Sequence, residues 1–513
     1  MKKLWAQIRQ YPLPYTAIVT AFVILLIALQ FNWAQNNNFW GDIGIRIAAA
    51  AVIGAVLGVG YSQLLLITLG KLTGLDTPSL LKKSILLHAP FAVFALVAPM
   101  PQHAGVFFAI GGIGYVGLLW WLFIFPQEKN IKNNIAANAP FFLTLIGTVA
   151  ALGARKVFIP QVSMDTANWV MPWLNYIQEH GFAAYADTFN NYAPFYSYLL
   201  GIFSWLPLSD LEIIKYISIG FDIMAAYYIR QMVKLRFPNS PMLPALAFVS
   251  FLFLPTILIN SSFWGQCDII YVAFSLAALY HLMLPDTRRN NLWSVVFYAL
   301  ALSVKLQAML IAPIFAIAWF KRDMRLSDFL IIPATYLLFM VPCLIAGRDF
   351  KDLLLVYFTI VDKNPVLTEN SPNIYQLVNY NFMFNNAGVL VAFAMQAIII
   401  FAVVWKLRGK QLTMDILAHA AFLITLTMPF LLPRMHERYF LLAECVSLLF
   451  AFYNPRHFYI PIVLGIISFF TYTEFLFTTV LVPFHWLTLG VLTLILIVGG
   501  TLLKKLDNKT STD

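Results

Sequence analysis

APFFLTLIGTVAALGARKV, residues 139–157, is an apolar run long enough to cross a bilayer, and SMDTANWVMPWLNYIQEHGFAAYADTFNNYAPFYSYLLG follows it at 163–201. A membrane helix needs about 20 consecutive apolar residues, so the first stretch reads as a span and the second as the polar, aromatic-rich segment where the chain leaves the membrane. Outward from this pair, the whole chain repeats the pattern. Its 513 residues are 61% hydrophobic and 11% charged, with a mean hydropathy of +0.77. That is more apolar surface than a soluble domain can bury, and the expected fold is an all-α polytopic membrane protein.

The net charge of +10 does not imply a polyanionic partner such as nucleic acid. Lys and Arg fall in short clusters between apolar runs, as they do in cytoplasmic loops. Lys2, Lys3 and Arg9 put the N-terminus inside, and MKKLWAQIRQYPLPY with the run after it reads as a retained first helix, because no small-residue cleavage site follows. Lys71, Lys82, Lys83, Lys129 and Lys132 mark two further returns to the cytoplasm, so the run at 139–157 ends outside and Asp165 lies on the non-cytoplasmic face. Continued to Lys504 and Lys505, the alternation gives about sixteen spans with both termini inside. Segments 194–207, 292–304 and 308–320 are short for spans, and the last two meet at Lys305-Leu306-Gln307. Broken helices of this kind line cavities. Residues 1–138 read as an added four-helix membrane extension and residues 139–513 as the functional module.

Nine cations break the charge rule by falling on or near the outer face: Arg155, Lys156, Lys215, Lys305, Arg348, Lys351, Lys363, Arg434 and Arg438. Singly, they read as interfacial snorkellers or as partners of Asp349, Asp352 and Glu369. As a group they point to an anionic ligand, since a phosphate at the membrane surface needs several charge-assisted donors. Cys267, Cys343 and Cys445 have no metal-ligand spacing and read as packing residues without a disulfide.

Four external motifs carry the candidate chemistry. Asp165 is followed by Trp169, Trp173 and Tyr176, whose spacing predicts one aromatic face on a short interfacial helix. Asn190-Asn191-Tyr192-Ala193-Pro194-Phe195-Tyr196 precedes a short segment, and Phe263-Trp264-Gly265-Gln266-Cys267-Asp268 opens a helix, where Asp268 also suits the helix dipole. Pro433-Arg434-Met435-His436-Glu437-Arg438-Tyr439 packs four ionisable groups at the start of another.

In this order, the external Asp, NYAPFY, FWGQCD, SVKLQA and PRMHERY, the chain resembles the C-type (GT-C) membrane glycosyltransferases over about residues 139–475. The likeness is greatest to bacterial relatives of the mannosyltransferase that adds the second mannose to glycosylphosphatidylinositol. Those relatives have Tyr-Pro-Pro at Tyr192-Ala193-Pro194 and Lys-Pro-Gln at Lys305-Leu306-Gln307, so the departures lose a proline and no functional side chain. His436-Glu437-Arg438 is similar to a His-Glu-Lys element of N-glycan-pathway glucosyltransferases. The resemblance implies a GT-C-like module with its active site in external loops, a polyprenyl-phosphate monosaccharide donor, a lipid-linked or cell-envelope acceptor, a bacterial plasma membrane, and Asp165 as catalytic base.

The expected reaction is inverting transfer of a hexose, with mannose the preferred guess. The acceptor oxygen would attack the anomeric carbon while Asp165 takes its proton. His436, Arg438, Arg434 and Lys305 are the candidates for holding the donor phosphate. Tyr192, Gln266, Asp268 and Glu437 are the candidates for sugar or acceptor contacts. No cofactor is expected, and no metal is assigned, because Asp165 with Asp268 or Asp187 is too sparse a ligand signal. The rival expectation is a flippase or transporter of a lipid-linked saccharide, in which the intramembrane acids Asp222 and Glu444 would serve as proton relays.

Overall fold

The computed structural model describes residues 128–357, 366–378 and 384–507. The expected N-terminal extension, up to residue 127, and Lys363 lie outside the described residues. The chain divides into two compact units, Met1–Leu145 with Pro207–Ser209 and Ile146–Leu206 with Asp210–Asp513. Of the first unit, the described part is residues 128–145 and 207–209. All that follows concerns the second unit and the helix that leads into it, α1 (Glu128–Phe158).

The described chain is nearly all helix. Six helical stretches are long and apolar enough to cross a membrane: Ala139–Phe158, Leu326–Ala346, Asn385–Lys406, Met414–Leu431, Pro455–Phe477 and Phe484–Asp507. Helices close every backbone hydrogen bond within one segment, which is what an apolar solvent demands, so a membrane protein is the class the fold defines. A seventh stretch is broken. Met242–Leu252 and Pro255–Trp264 meet at 51°, because Leu254 precedes a proline and is held extended there.

In chain order, a π-helical turn (Thr166–Val170) and α2 (Met171–His180) follow α1. Next come α3 (Pro194–Phe203), α4 (Asp210–Arg236), α5 (Met242–Leu252), and α6 (Pro255–Leu258), which continues as a π-helical turn to Trp264. α7 (Asp268–Met283) is buried along almost its whole length and packs between α4 and α8 (Arg288–Val304). Lys305 then breaks the helix in an extended conformation, with φ −150° and ψ 143°, before a 3-10 turn leads into α9 (Ala312–Lys321). This is the interruption expected between 292–304 and 308–320. After α10 (Ile331–Ala346) and α11 (Phe350–Leu354) come β1 (Thr368–Glu369), α12 (Phe384–Lys406) and α13 (Met414–Leu431). The chain then runs through β2 (Met435–His436), α14 (Leu441–Tyr453), α15 (Tyr459–Phe477) and α16 (Phe484–Asp507). β1 and β2 form a two-residue parallel pair in the register Thr368↔Met435 and Glu369↔His436.

Three polar residues of α4 share one face at positions i, i+3 and i+7, and each is fully buried: Lys215, Ser218 and Asp222. Asp222 takes the Arg155 Nε–H at 2.8 Å and the Ser261 hydroxyl at 2.7 Å. Lys215 donates to the carbonyls of Phe158, Ile159 and Gln161 at 2.9, 3.0 and 2.5 Å. Ser218 donates to Gln266 O at 2.7 Å. The expectation that the outer-face cations act together on an anion is therefore corrected for two of them. Arg155 and Lys215 are consumed inside the protein, because a buried cation needs a counter-charge or a set of acceptors, and α4 supplies the first while the end of α1 supplies the second. Lys156 pairs with Glu212 at 3.6 Å. Glu444, the other intramembrane acid, accepts the Thr256 hydroxyl, and all three cysteines are buried and free.

Arg155 and Asp222 are 1% and 0% exposed, so removing one partner strands a buried charge, at a cost of about 3–5 kcal/mol. Asp222→Ala is expected to lower the thermal unfolding midpoint of the detergent-purified protein substantially. The double replacement Arg155→Leu with Asp222→Leu should recover most of the loss, and a single variant as stable as wild type would contradict the assignment.

Candidate functional site

The site is assembled on the α4 stripe. By gathering the last carbonyls of α1, Lys215 fixes the turn that carries Ser163 and Asp165. Two hydroxyls, Ser163 Oγ and Thr166 Oγ1, then donate to the single carbonyl of Trp264 at 2.6 and 2.7 Å. The Asp165 segment is thus stitched to a turn about a hundred residues away in sequence. That turn needs Gly265. Its φ of +77° is left-handed, and a Cβ there would meet Thr166 Oγ1 at 2.7 Å. Gln266 N donates back to Asn260 O at 2.9 Å, and Ser218 holds Gln266 O from the other side.

Both side chains flanking Gly265 reach Asp165. Trp264 Nε1–H donates to Asp165 Oδ2 at 3.0 Å, and Gln266 Nε2–H donates to the same oxygen at 2.5 Å. Arg438 Nη1 stands 3.8 Å from Oδ2 as well. None of these three contacts uses Oδ1. Arg438 is shared among carboxylates: its Nη1 bonds Glu437 Oε1 at 3.0 Å, its Nε is 3.4 Å from Asp268 Oδ2, and its guanidinium lies 5.3 Å from the Trp264 ring centre. Lys305 Nζ, released from helix by the break, donates to Asp268 Oδ1 at 2.6 Å and sits 4.8 Å from the centre of the Tyr192 ring.

Gln266 and Arg438 therefore meet Asp165 directly, Asp268 and Glu437 are one contact further through Arg438, and Lys305 and then Tyr192 extend the chain from Asp268. Asp268 is the first residue of α7 and not its cap; its two oxygens serve Lys305 on one side, and Arg438 with Asn260 on the other. His436 stands slightly apart. Its Nδ1 is 3.0 Å from Glu369 Oε2 and 3.9 Å from Glu437 Oε2, so with the β1–β2 pair it ties the 366–378 segment to the site. Arg434 joins this tie through its backbone, with a left-handed φ of 61° and its N–H donating to Leu367 O at 2.9 Å. Burial raises the Glu437 carboxyl above its ordinary value against the pull of Arg438 and His436, whereas the hydrogen bond from His436 lowers that of Glu369.

The single aromatic face expected after Asp165 is not formed. Trp169 is 56% exposed and Trp173 is 6% exposed. The cause is the π-helical turn at Thr166–Val170, whose extra residue per turn slips the phase between them. Trp173 packs edge-on against Tyr192 at 5.1 Å between ring centres, while the Tyr176 hydroxyl bonds Asp187 at 2.6 Å. Within its motif Trp264 carries no sign of a site role beyond an indole N–H beside a glycine, and Ser163 and Ser218 also escape sequence reasoning; Glu369, expected to partner an outer-face cation, pairs with His436 instead. Among the described residues no group of three or more His, Cys, Asp or Glu side chains is arranged to hold a metal. No family model matches the sequence, and comparison with curated proteins finds no match.

Two outcomes follow from this geometry. Gly265→Ala should cost about 1–2 kcal/mol from the left-handed conformation alone, more with the Thr166 clash, and would appear as a lowered unfolding midpoint; an unchanged midpoint would contradict the turn described. The Glu369 carboxyl is lowered from its usual 4.5, so its contribution to the tie is present above that pH and is lost as pH falls through the lower folded value. Amide exchange at Arg434, corrected for intrinsic rate, should accelerate only below that point, and Glu369→Gln should remove the acid transition.

Proposed function

We propose that this protein is an inverting C-type glycosyltransferase that moves a hexose, with mannose the first candidate, from a polyprenyl-phosphate donor to a lipid-linked or cell-envelope acceptor. In this reading it is a multi-pass protein of about sixteen spans in a bacterial plasma membrane, with both termini cytoplasmic and its active site on the opposite face. The observation that carries the reading is the convergence of Asp165, Trp264, Gln266, Asp268, Lys305 and Arg438 from four separate stretches of chain. A carboxylate with one engaged and one open oxygen beside two cations is what an acid-free displacement of a phosphate leaving group requires.

The steps follow from the contacts. Trp264 and Gln266 hold Asp165 by Oδ2, so Oδ1 takes the acceptor hydroxyl proton as that oxygen attacks the anomeric carbon. The carbon–oxygen bond to phosphate breaks on the opposite face, and its electron pair leaves on the polyprenyl phosphate. Arg438 and Lys305 neutralise the departing oxygens, exchanging their present carboxylate partners for the phosphate. Tyr192 offers an aromatic face beside Lys305 for the sugar. The flippase alternative has less support in the contacts, since Asp222, one of the acids it would use as a relay, is held by Arg155 and Ser261.

Purified protein in lipid should transfer label from polyprenyl-phosphate mannose, or from the glucose or arabinose analogue, to an acceptor in a membrane extract. Asp165→Asn, with its fold intact, should lower turnover by about 10²–10⁴-fold. Full turnover by that variant would remove Asp165 from the role. Absence of transfer with every donor, together with accelerated movement of a labelled lipid-linked sugar across the bilayer, would favour the flippase.

A further inference from the structure

Arg348 is a buried cation that the described site does not use. It is 7% exposed, and its Nε is buried without a hydrogen-bond partner. Among the described residues no carboxylate forms an ion pair with it, whereas Arg155, Lys305 and Arg438 each have one. Closing the helix does not explain its burial. The end of α10 is completed by backbone: Gly347 is left-handed at φ 109°, its N–H reaches Leu344 O at 3.1 Å, and Arg348 N–H reaches Cys343 O at 3.0 Å. The adjacent carboxylate is directed elsewhere. Asp349 caps α11, accepting from Lys351 N at 2.7 Å and Asp352 N at 3.3 Å.

A buried guanidinium without a counter-ion is costly unless a ligand supplies one. The surroundings indicate which kind. Leu344, Ile345 and Phe350, on either side of Arg348, are exposed apolar side chains at the end of a membrane-length helix, a setting for acyl chains beneath an anionic headgroup. On the other side, Tyr336 of α10 lies 5.6 Å, ring to ring, from Tyr357, whose hydroxyl donates to Leu302 O at 2.5 Å. Leu302 is three residues before Lys305, so Tyr336 and Tyr357 link α10, the helix that Arg348 follows, to the helix break that supplies Lys305 to the Asp165 cluster. We infer that Arg348 binds the phosphate of a lipid headgroup, as an anion subsite separate from Lys305 and Arg438. That this lipid is the acceptor rests on the glycosyl-transfer reading; that it binds does not.

The test measures binding without any sugar donor. Full-length protein in neutral detergent is titrated with dioctanoyl phosphatidylglycerol, dioctanoyl phosphatidylcholine or inorganic phosphate, and the shift in unfolding temperature is recorded. Phosphatidylglycerol should stabilise wild type at concentrations at which phosphatidylcholine does not. Arg348→Gln should weaken that binding by about tenfold or more, and Arg348→Lys, which keeps the charge without the planar fork, should fall between. Without lipid, Arg348→Gln should unfold close to wild type, because Gln keeps much of the buried stem and no carboxylate loses its partner. Equal phosphatidylglycerol affinity in wild type and Arg348→Gln would overturn the inference. So would a large loss of lipid-free stability in Arg348→Gln, which would make Arg348 a structural group. Should Arg348→Gln not fold, Arg348→Lys with wild-type affinity would overturn it. Inorganic phosphate binding as tightly as phosphatidylglycerol would exclude the lipid headgroup as the source. Because no transfer is measured, failure of the enzyme reading leaves each of these outcomes intact.

Discussion

The polar stripe on α4 is the constraint on which the site depends. In apolar surroundings an unsatisfied polar group costs several kcal/mol, so a buried lysine, serine and aspartate on one helix face must be answered by specific partners. Lys215 is answered by the end of α1, Ser218 by Gln266, and Asp222 by Arg155 and Ser261. Those partners flank the two segments that meet at Asp165. One helix therefore aligns the carboxylate with the Trp264–Gln266 turn, and the direct bonds of Ser163 and Thr166 to Trp264 O lock the alignment.

Charge balance is the second organising feature. Arg438 faces Asp165, Asp268 and Glu437, and Lys305 faces Asp268, so no cation of this cluster is left uncompensated. An arriving anion must compete with resident carboxylates, which ties its affinity to how readily those acids yield. Glu437, raised by burial against the pull of Arg438 and His436, is the carboxyl of the cluster whose ionised form is least favoured. The His436–Glu369 pair couples the same cluster to the β1–β2 tie, so the loop carrying Glu369 and the helix start carrying Arg438 are held as one unit.

Much of this was legible beforehand. The break at Lys305 followed from two apolar segments too short to span, and Asp165, Gln266, Asp268, Lys305 and Arg438 were all picked from motifs that prove to be neighbours. The outer-face cations are not separable by sequence: Arg155, Lys215 and Arg438 look alike as isolated basic residues, yet two are internal braces and one faces Asp165. The aromatic face expected after Asp165 does not form, because a π-helical turn at Thr166–Val170 leaves no mark in spacing.

By itself, the sequence determined the class of the protein, the place where a helix must break and a short list of candidate polar side chains. These are local properties, set by hydropathy, proline and glycine within a turn or two. Only the tertiary structure decided which cation meets which carboxylate, which oxygen of Asp165 is engaged, and that Trp264 belongs to the site. Asp165 and Trp264 are 99 residues apart and Lys305 and Asp268 are 37 apart; contacts at that range arise from how buried helices pack and satisfy their polar atoms, which no local pattern encodes.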